Sequence, residues 1–285
     1  MQEAVKLVEC PRDAMQGWPH QISTDNKVRY INALLNVGFD TIDFGSFVSP
    51  KAIPQMADTK DVLAALDLAG SRSALLAIIA NKRGAEDAVA YDAVRYLGFP
   101  FSVSETFQQR NTNSSIEDSL QTVEQVRSLC STRGKELVVY LSMGFGNPYG
   151  DPWSEEIVFR WAEKLASMGI GILSLADTVG LATADQVSRM TSFLVKSLPK
   201  VEIGVHLHAP PQGWQEKADA AYNAGCRRFD GAIKGIGGCP MAGNELVGNL
   251  DTERLNDYLQ QKGIETGLNR EALAGCALIA NEIFI

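Results

Sequence analysis

Val201-Glu202-Ile203-Gly204-Val205-His206-Leu207 is a short apolar run, residues 213–224 follow at helical spacing, Gly225 stops them, and Arg228-Phe229-Asp230-Gly231-Ala232 opens a second run. A strand, a helix of that length and another strand are the pattern of two parallel strands joined by a crossover helix. The pattern repeats upstream. Strands are expected at 5–9, 41–44, 75–79, 94–97, 136–141 and 170–175, and helices at 24–37, 58–68, 84–91, 116–129, 154–167 and 183–197. Gly38 and Gly169, like Gly225, stand between a helix and the next strand, where glycine takes the left-handed conformation that closes a helix. About eight such units close a (β/α)8 TIM barrel of typically about 250 residues. No Pro/Gly/Ser-rich linker divides the chain, so the expectation is an α/β protein in which 1–285 form a single (β/α)8 barrel domain, with a short helical C-terminal extension from about residue 251.

With 285 residues the chain can bury roughly three quarters of its unfolded surface. A net charge of −8 and a pI near 5.0 argue against nucleic acid as a partner, while leaving room for an anionic small ligand in a local basic pocket. No run of about 18 apolar residues predicts a membrane span. Met1-Gln2-Glu3-Ala4 has neither the layout of a secretion signal nor that of a transit peptide. The five cysteines are odd in number, scattered and without a C-x-x-C pair, which fits a reducing cytoplasm.

Two of the three histidines form His206-Leu207-His208. Alternate residues of a strand project to one face, so both imidazoles point the same way at the end of the seventh strand, where barrel enzymes keep their active sites. They are half of a metal site or a histidine pair without metal. Glu9-Cys10-Pro11-Arg12-Asp13 follows the first strand directly, on the same rim. Asp13 is then within reach of a cation held by His206 and His208; otherwise Arg12 and Asp13 are a surface ion pair worth little. One carboxylate with two imidazoles suits Mg²⁺ or Mn²⁺, with Zn²⁺ and Fe²⁺ also open. Gly235-Ile236-Gly237-Gly238-Cys239-Pro240, after the eighth strand, is either a backbone cradle for an anion or a lid that carries Cys239 into the site.

These stretches, together with Ser46-Phe47-Val48-Ser49-Pro50-Lys51, Pro54-Gln55-Met56-Ala57-Asp58, Asp177-Thr178-Val179-Gly180 and Gly248-Asn249-Leu250, resemble in order and spacing the 3-hydroxy-3-methylglutaryl-CoA lyases, from about residue 5 to at least 255. The Asp, H-x-H and late Asn are shared with a wider group of metal-dependent barrels; the S-F-V-S-P-K…P-Q-M stretch and the G-G-C-P loop look specific to the lyases. The resemblance implies a metal-dependent lyase that splits 3-hydroxy-3-methylglutaryl-CoA, or a close 3-hydroxyacyl-CoA, into acetyl-CoA and acetoacetate, as in leucine degradation. It implies Asp13, His206 and His208 as ligands of Mg²⁺ or Mn²⁺, with Asn249 completing the shell directly or through water. Arg12 would stabilise the enolate oxygen, Cys239 would belong to a mobile catalytic loop, and Asp43 stands where the family usually has a glutamate. Glu9, Gln16, Ser46, Ser174 and Asp177 would support the site, Gln16, Ser46 and Ser174 by contact with substrate. A homodimer is expected, and Arg110, Asn111, Asn113 and Asn147-Pro148-Tyr149 lie where the nucleotide could pass.

The residue types suit that reaction. Bond cleavage needs a base for the hydroxyl proton, His206 or a carboxylate such as Asp43, and a fixed positive charge at the thioester oxygen, which Arg12 supplies. Three positions depart from the family: Ala209 follows His208 where an Asp is common, Asp43 is one carbon shorter than the usual Glu, and Cys10 precedes Pro11 where relatives have Gly. Two other readings compete. A condensing synthase joining acetyl-CoA to a 2-oxo acid normally carries a longer C-terminal domain, and a non-catalytic acyl-CoA sensor would be expected to have lost some of these residues.

Overall fold

The computed structural model describes residues 4–238 and 247–285. Strands β1 (Lys6–Glu9), β2 (Thr41–Ser46), β3 (Ala74–Ile78), β4 (Val94–Ser102), β5 (Glu136–Ser142), β6 (Ile172–Ala176), β7 (Glu202–His206) and β8 (Arg228–Gly231) pair in parallel in chain order, and β8 closes onto β1. The fold is the (β/α)8 barrel that the sequence predicts. Helices α1 (Pro11–Gln16), α2 (Thr24–Leu35), α3 (Thr59–Ala64), α4 (Lys82–Ala88), α5 (Glu105–Thr112), α6 (Ile116–Thr132), α7 (Glu155–Ser167), α8 (Ala184–Ser197), α9 (Trp214–Asn223), α10 (Thr252–Gln261) and α11 (Arg270–Ile283) surround it. Side-chain caps start most of the longer ones: Ser23, Ser115, Ser154 and Thr183 each accept a backbone N–H of the first turn, worth about 1 kcal/mol apiece.

Alternation along the strands makes two cores. The outer one lies between strands and helices; a smaller one, Leu76, Ile78, Val138, Tyr140 and Ile172, fills the barrel interior. Beneath it Arg228 is fully buried, with Nη1 3.5 Å from Asp40 and 3.6 Å from Glu202. β4 runs on to Ser102, past the Leu97 at which the sequence reading stops. Gly98 and Pro100 look like breakers, yet a Cβ on Gly98 would lie 2.5 Å from Ile78 and 3.1 Å from Tyr140, so only glycine fits that interior position. The short α1 and α5 were not expected as helices. The C-terminal helices are laid against the barrel: Asn269 N–H donates to the Val37 carbonyl, and Phe284 packs edge-on against Trp18 at 5.1 Å and Tyr30 at 6.0 Å.

The closure is clasped by Glu9. Its two carboxylate oxygens accept Ile233 N–H at 2.8 Å and Thr252 Oγ1–H at 2.6 Å, tying β1 to the segments that follow β8. Burial raises Glu9 from the usual 4.5 to about 8, outweighing those hydrogen bonds. The folded state therefore holds this proton more tightly than the unfolded chain. Its contribution to stability is full below the ordinary value and is lost as pH rises through about 8. Thermal melts between about pH 5 and pH 9 should show stability falling with pH in the parent protein and falling less in Glu9→Gln, which keeps the shape without the titration. Equal slopes in the two proteins would rule this account out.

Candidate active site

Pro11 at the first helical position starts α1 directly after β1, so Arg12 and Asp13 stand on the rim to which β7 delivers His206. A second segment reaches the same place. His208 pairs with Asn249 in an antiparallel bridge and Ala209 N–H donates to the Gly248 carbonyl, which carries Asn249 over the barrel mouth. Asn249 Nδ2 donates to Asp13 Oδ2 at 2.8 Å and to the Ile236 carbonyl at 2.9 Å. Gly237, at φ +109°, passes so close that a Cβ there would lie 2.7 Å from Asn249 Nδ2 and 3.0 Å from the Asp13 carbonyl. This glycine is required by both its conformation and its contact.

The two imidazoles face each other, Nε2 to Nε2, at 3.2 Å. His208 Nδ1 lies 3.1 Å from the Thr178 carbonyl, which can only accept, so Nδ1 carries the hydrogen and Nε2 keeps its lone pair. His206 Nδ1 lies 3.1 Å from Asp230 Oδ2, and the same logic leaves its Nε2 as a lone pair whenever the ring is neutral. Donor atoms of Asp13, His206 and His208 all lie within 4.8 Å of one another. Burial, then the nearby charge of His206, lowers His208 to about 4. Burial would lower His206 as well, but the hydrogen bond and charge of Asp230 raise it. Burial also works against an ionised Asp13, yet Arg12 and the two histidines bring it down to about 2. Two lone pairs and a carboxylate converging in a buried place are a site for a cation.

Arg12 sits between two carboxylates. Nη1 donates to Asp13 Oδ1 at 3.0 Å, Nε donates to Asp43 Oδ2 at 3.0 Å, and Nη2 donates to the same Asp43 oxygen. Burial raises Asp43 to about 6 against the pull of Arg12. Gln16 Nε2 donates to Asp13 Oδ1 at 2.7 Å. A cavity of about 160 Å³ opens over this group; Arg12, Asp13, Gln16, His206 and His208 line it, with an apolar wall that includes Val48, Ile78, Pro100 and Phe107.

Of the residues singled out in the sequence, Arg12, Asp13, Gln16, His206 and His208 meet at the cavity and Asn249 stands beside Asp13. Asn111 also reaches the wall, whereas the Arg110 guanidinium lies 4.6 Å over the Tyr149 ring. Asp43 is buried behind Arg12. The Ser46 hydroxyl, at the end of β2, accepts Val48 N–H at 3.2 Å and donates to the Ile78 carbonyl at 3.4 Å. Ser174 is fully buried, its hydroxyl without a hydrogen-bond partner among the described residues. Cys239 lies outside the described residues.

Sequence reasoning missed Asp230, Thr178 and Lys217. Asp230 had a signal, since it alternates with Arg228 on β8 and both must face inward. Lys217 had none: it is one more polar residue on α9. Its Nζ is buried and donates to Asp177 Oδ2 at 2.7 Å and to the His208 carbonyl at 2.9 Å, fixing the backbone that carries the second imidazole. Lys217→Met leaves Asp177 buried without its cation, and urea unfolding should show a loss of about 3–5 kcal/mol. A loss under about 1 kcal/mol would mean the pair is not the strut described.

A family model described as HMGL-like matches residues 4–278. The Bacillus subtilis hydroxymethylglutaryl-CoA lyase YngG is 34% identical over 267 residues, covering 94% of this chain and 88% of that protein. The mitochondrial hydroxymethylglutaryl-CoA lyase of Mus musculus is 36% identical over 271 residues, covering 94% and 82%. Among solved structures, an HMG-CoA lyase from Acinetobacter baumannii in complex with coenzyme A and 3-methylmalate superposes with a TM-score of 0.91 at 31% identity, covering 99% of this chain and 91% of that one.

Proposed function

Because the chain belongs to the HMGL-like family, we propose that it is a carbon–carbon lyase that splits 3-hydroxy-3-methylglutaryl-CoA into acetyl-CoA and acetoacetate. The observation that carries this reading is the pair of imidazole lone pairs facing each other at 3.2 Å beside Asp13, in the wall of a cavity that Arg12 also lines. We assign Asp13, His206 and His208 as ligands of a divalent cation, Mg²⁺ or Mn²⁺, with Asn249 completing the set. That cation, when bound, supplies the Lewis acidity that makes the substrate hydroxyl a stronger acid.

The protein's own groups do the rest. As the hydroxyl proton leaves its oxygen, the carbon that carries that oxygen becomes the ketone of acetoacetate, and the pair of electrons from the broken carbon–carbon bond passes to the thioester as an enolate. Arg12, held by Asp43 and Asp13, keeps N–H groups for the oxygen on which that charge gathers. His206 has both nitrogens committed, so Asp43 is the better acceptor for the hydroxyl proton, reached through one water because its oxygens lie behind Arg12 and off the cavity wall. Burial places it at about 6, near where a base working at neutrality belongs. Gln16 steadies Asp13. Cys239 is assigned to returning a proton to the enolate carbon, and Ser46 and Ser174 to supporting the strand ends around the substrate. The family resemblance also supports a homodimer, and the four buried free cysteines among the described residues fit a reducing cytoplasm. No helix among the described residues is long and apolar enough to cross a membrane.

Acetoacetate release from 3-hydroxy-3-methylglutaryl-CoA by the purified protein, with Mg²⁺ or Mn²⁺ and again with EDTA, tests the reading. Release should require the cation, and Arg12→Met should lower kcat by about 10²–10³ while cation affinity stays within a few-fold. Turnover that survives full removal of divalent ions would overturn the assignment of the site. Condensation of acetyl-CoA with a 2-oxo acid should yield no free CoA.

A further inference from the structure

Directly under the cation group lies a second cluster, which shares His206 with it and adds Cys10 and Asp230, neither of which touches the substrate in the reaction described. Cys10 follows β1, Asp230 is on β8 and His206 on β7, and Cys10 N–H donates to the Gly231 carbonyl at 2.9 Å, so the three side chains share one patch of the barrel interior. Ligand atoms of Cys10, His206 and Asp230 all lie within 4.8 Å of one another. Cys10 is 1% exposed and Asp230 2%. Asp230 spends Oδ2 on His206, while its Oδ1 is buried with no hydrogen-bond partner among the described residues. Among the described residues the Cys10 sulfur makes only a long contact, 3.9 Å to the Val8 carbonyl.

We propose that Cys10, His206 and Asp230 form a second metal site, selective for a thiophilic cation such as Zn²⁺, whose occupation removes His206 from the first group and switches the enzyme off. A thiolate, an imidazole and a carboxylate are a zinc-type donor set, whereas Mg²⁺ and Mn²⁺ favour oxygen ligands. Exclusion follows from the histidine itself. A neutral imidazole has one lone-pair nitrogen. Nδ1 faces Asp230 and Nε2 faces His208. Binding through Nδ1 puts the hydrogen on Nε2, and a nitrogen that carries hydrogen cannot serve the first group. On binding, the Cys10 S–H bond breaks, its proton leaves to solvent, a zinc–sulfur bond forms, and no oxidation state changes. Burial keeps the thiol protonated until a metal displaces that proton.

Co²⁺ is the probe, because a thiolate on cobalt gives a near-ultraviolet charge-transfer band that oxygen and nitrogen ligands do not. The full-length protein titrated with Co²⁺ should show the band, Cys239→Ala should keep it and Cys10→Ser should lose it. In Mn²⁺-activated turnover, Zn²⁺ should inhibit in competition with Mn²⁺. Cys10→Ser should need about 10- to 100-fold more Zn²⁺ for the same inhibition, with its zinc-free rate unchanged. A band that persists in Cys10→Ser, or equal zinc sensitivity in both proteins, places zinc at Asp13, His206 and His208 and overturns the proposal. So does binding of Zn²⁺ and Mn²⁺ together, one of each per parent chain, a measurement that needs no variant. If Cys10→Ser melts early, Cys10→Ala takes its place. The cobalt band does not depend on turnover, so it separates failure here from failure of the lyase reading.

Discussion

Two imidazole nitrogens held lone pair to lone pair at 3.2 Å, with a carboxylate alongside, repel unless positive charge stands among them. The surroundings are built to keep that arrangement in place. The Thr178 carbonyl and Asp230 fix which nitrogen of each ring carries hydrogen, and Lys217 ties the backbone of His208 to Asp177. This also accounts for Ala209. The family resemblance leads one to expect a carboxylate there, but in this chain neither ring needs one for its orientation, because each already has its own acceptor.

The same need for compensation runs along the barrel axis. Arg228 at the floor, Asp230 above it, His206 next, then Asp13, Arg12 and Asp43 form a column in which nearly every buried charge has an opposite neighbour. Strand alternation makes this possible: polar residues spaced by two turn inward together while their neighbours feed the outer apolar core. Such a column contributes little net stability, since desolvation offsets much of the attraction. What it supplies is position. Removing one member leaves another charge stranded in a dry place, so the groups are fixed far more firmly than surface ion pairs would be.

How much of this was legible in the sequence follows from the range of the interactions. The alternation of strands and helices showed the barrel, because the periodicities are local and the apolar faces obey them. Asp13, His206 and His208 could be grouped because strand order puts their rims together. Gly98 and Pro100 misled the reading of β4, since what permits them is the packing of Ile78 and Tyr140 across the interior. Asp43 sits at the site but turns its oxygens to Arg12 and stays off the cavity wall. Ser46 is engaged by the Val48 N–H that follows it and by the Ile78 carbonyl of the neighbouring strand. Lys217 could not be found, because nothing on an amphipathic helix marks which lysine reaches inward.

The hydrogen bond from Asn249 to Asp13 joins residues 236 positions apart. At a synthesis rate of about 5–20 residues per second, roughly 12 to 50 seconds separate the appearance of these two side chains on the ribosome. The strand that leads into the helix bearing Asp13 must wait for its neighbours, and the Glu9 clasp must wait for Thr252. Closure of the barrel and the meeting of Asp13 with Asn249 both wait for the same late stretch of chain. An unfinished chain is an open sheet in which Asp13 lacks its bond from Asn249 and Glu9 lacks its bond from Thr252.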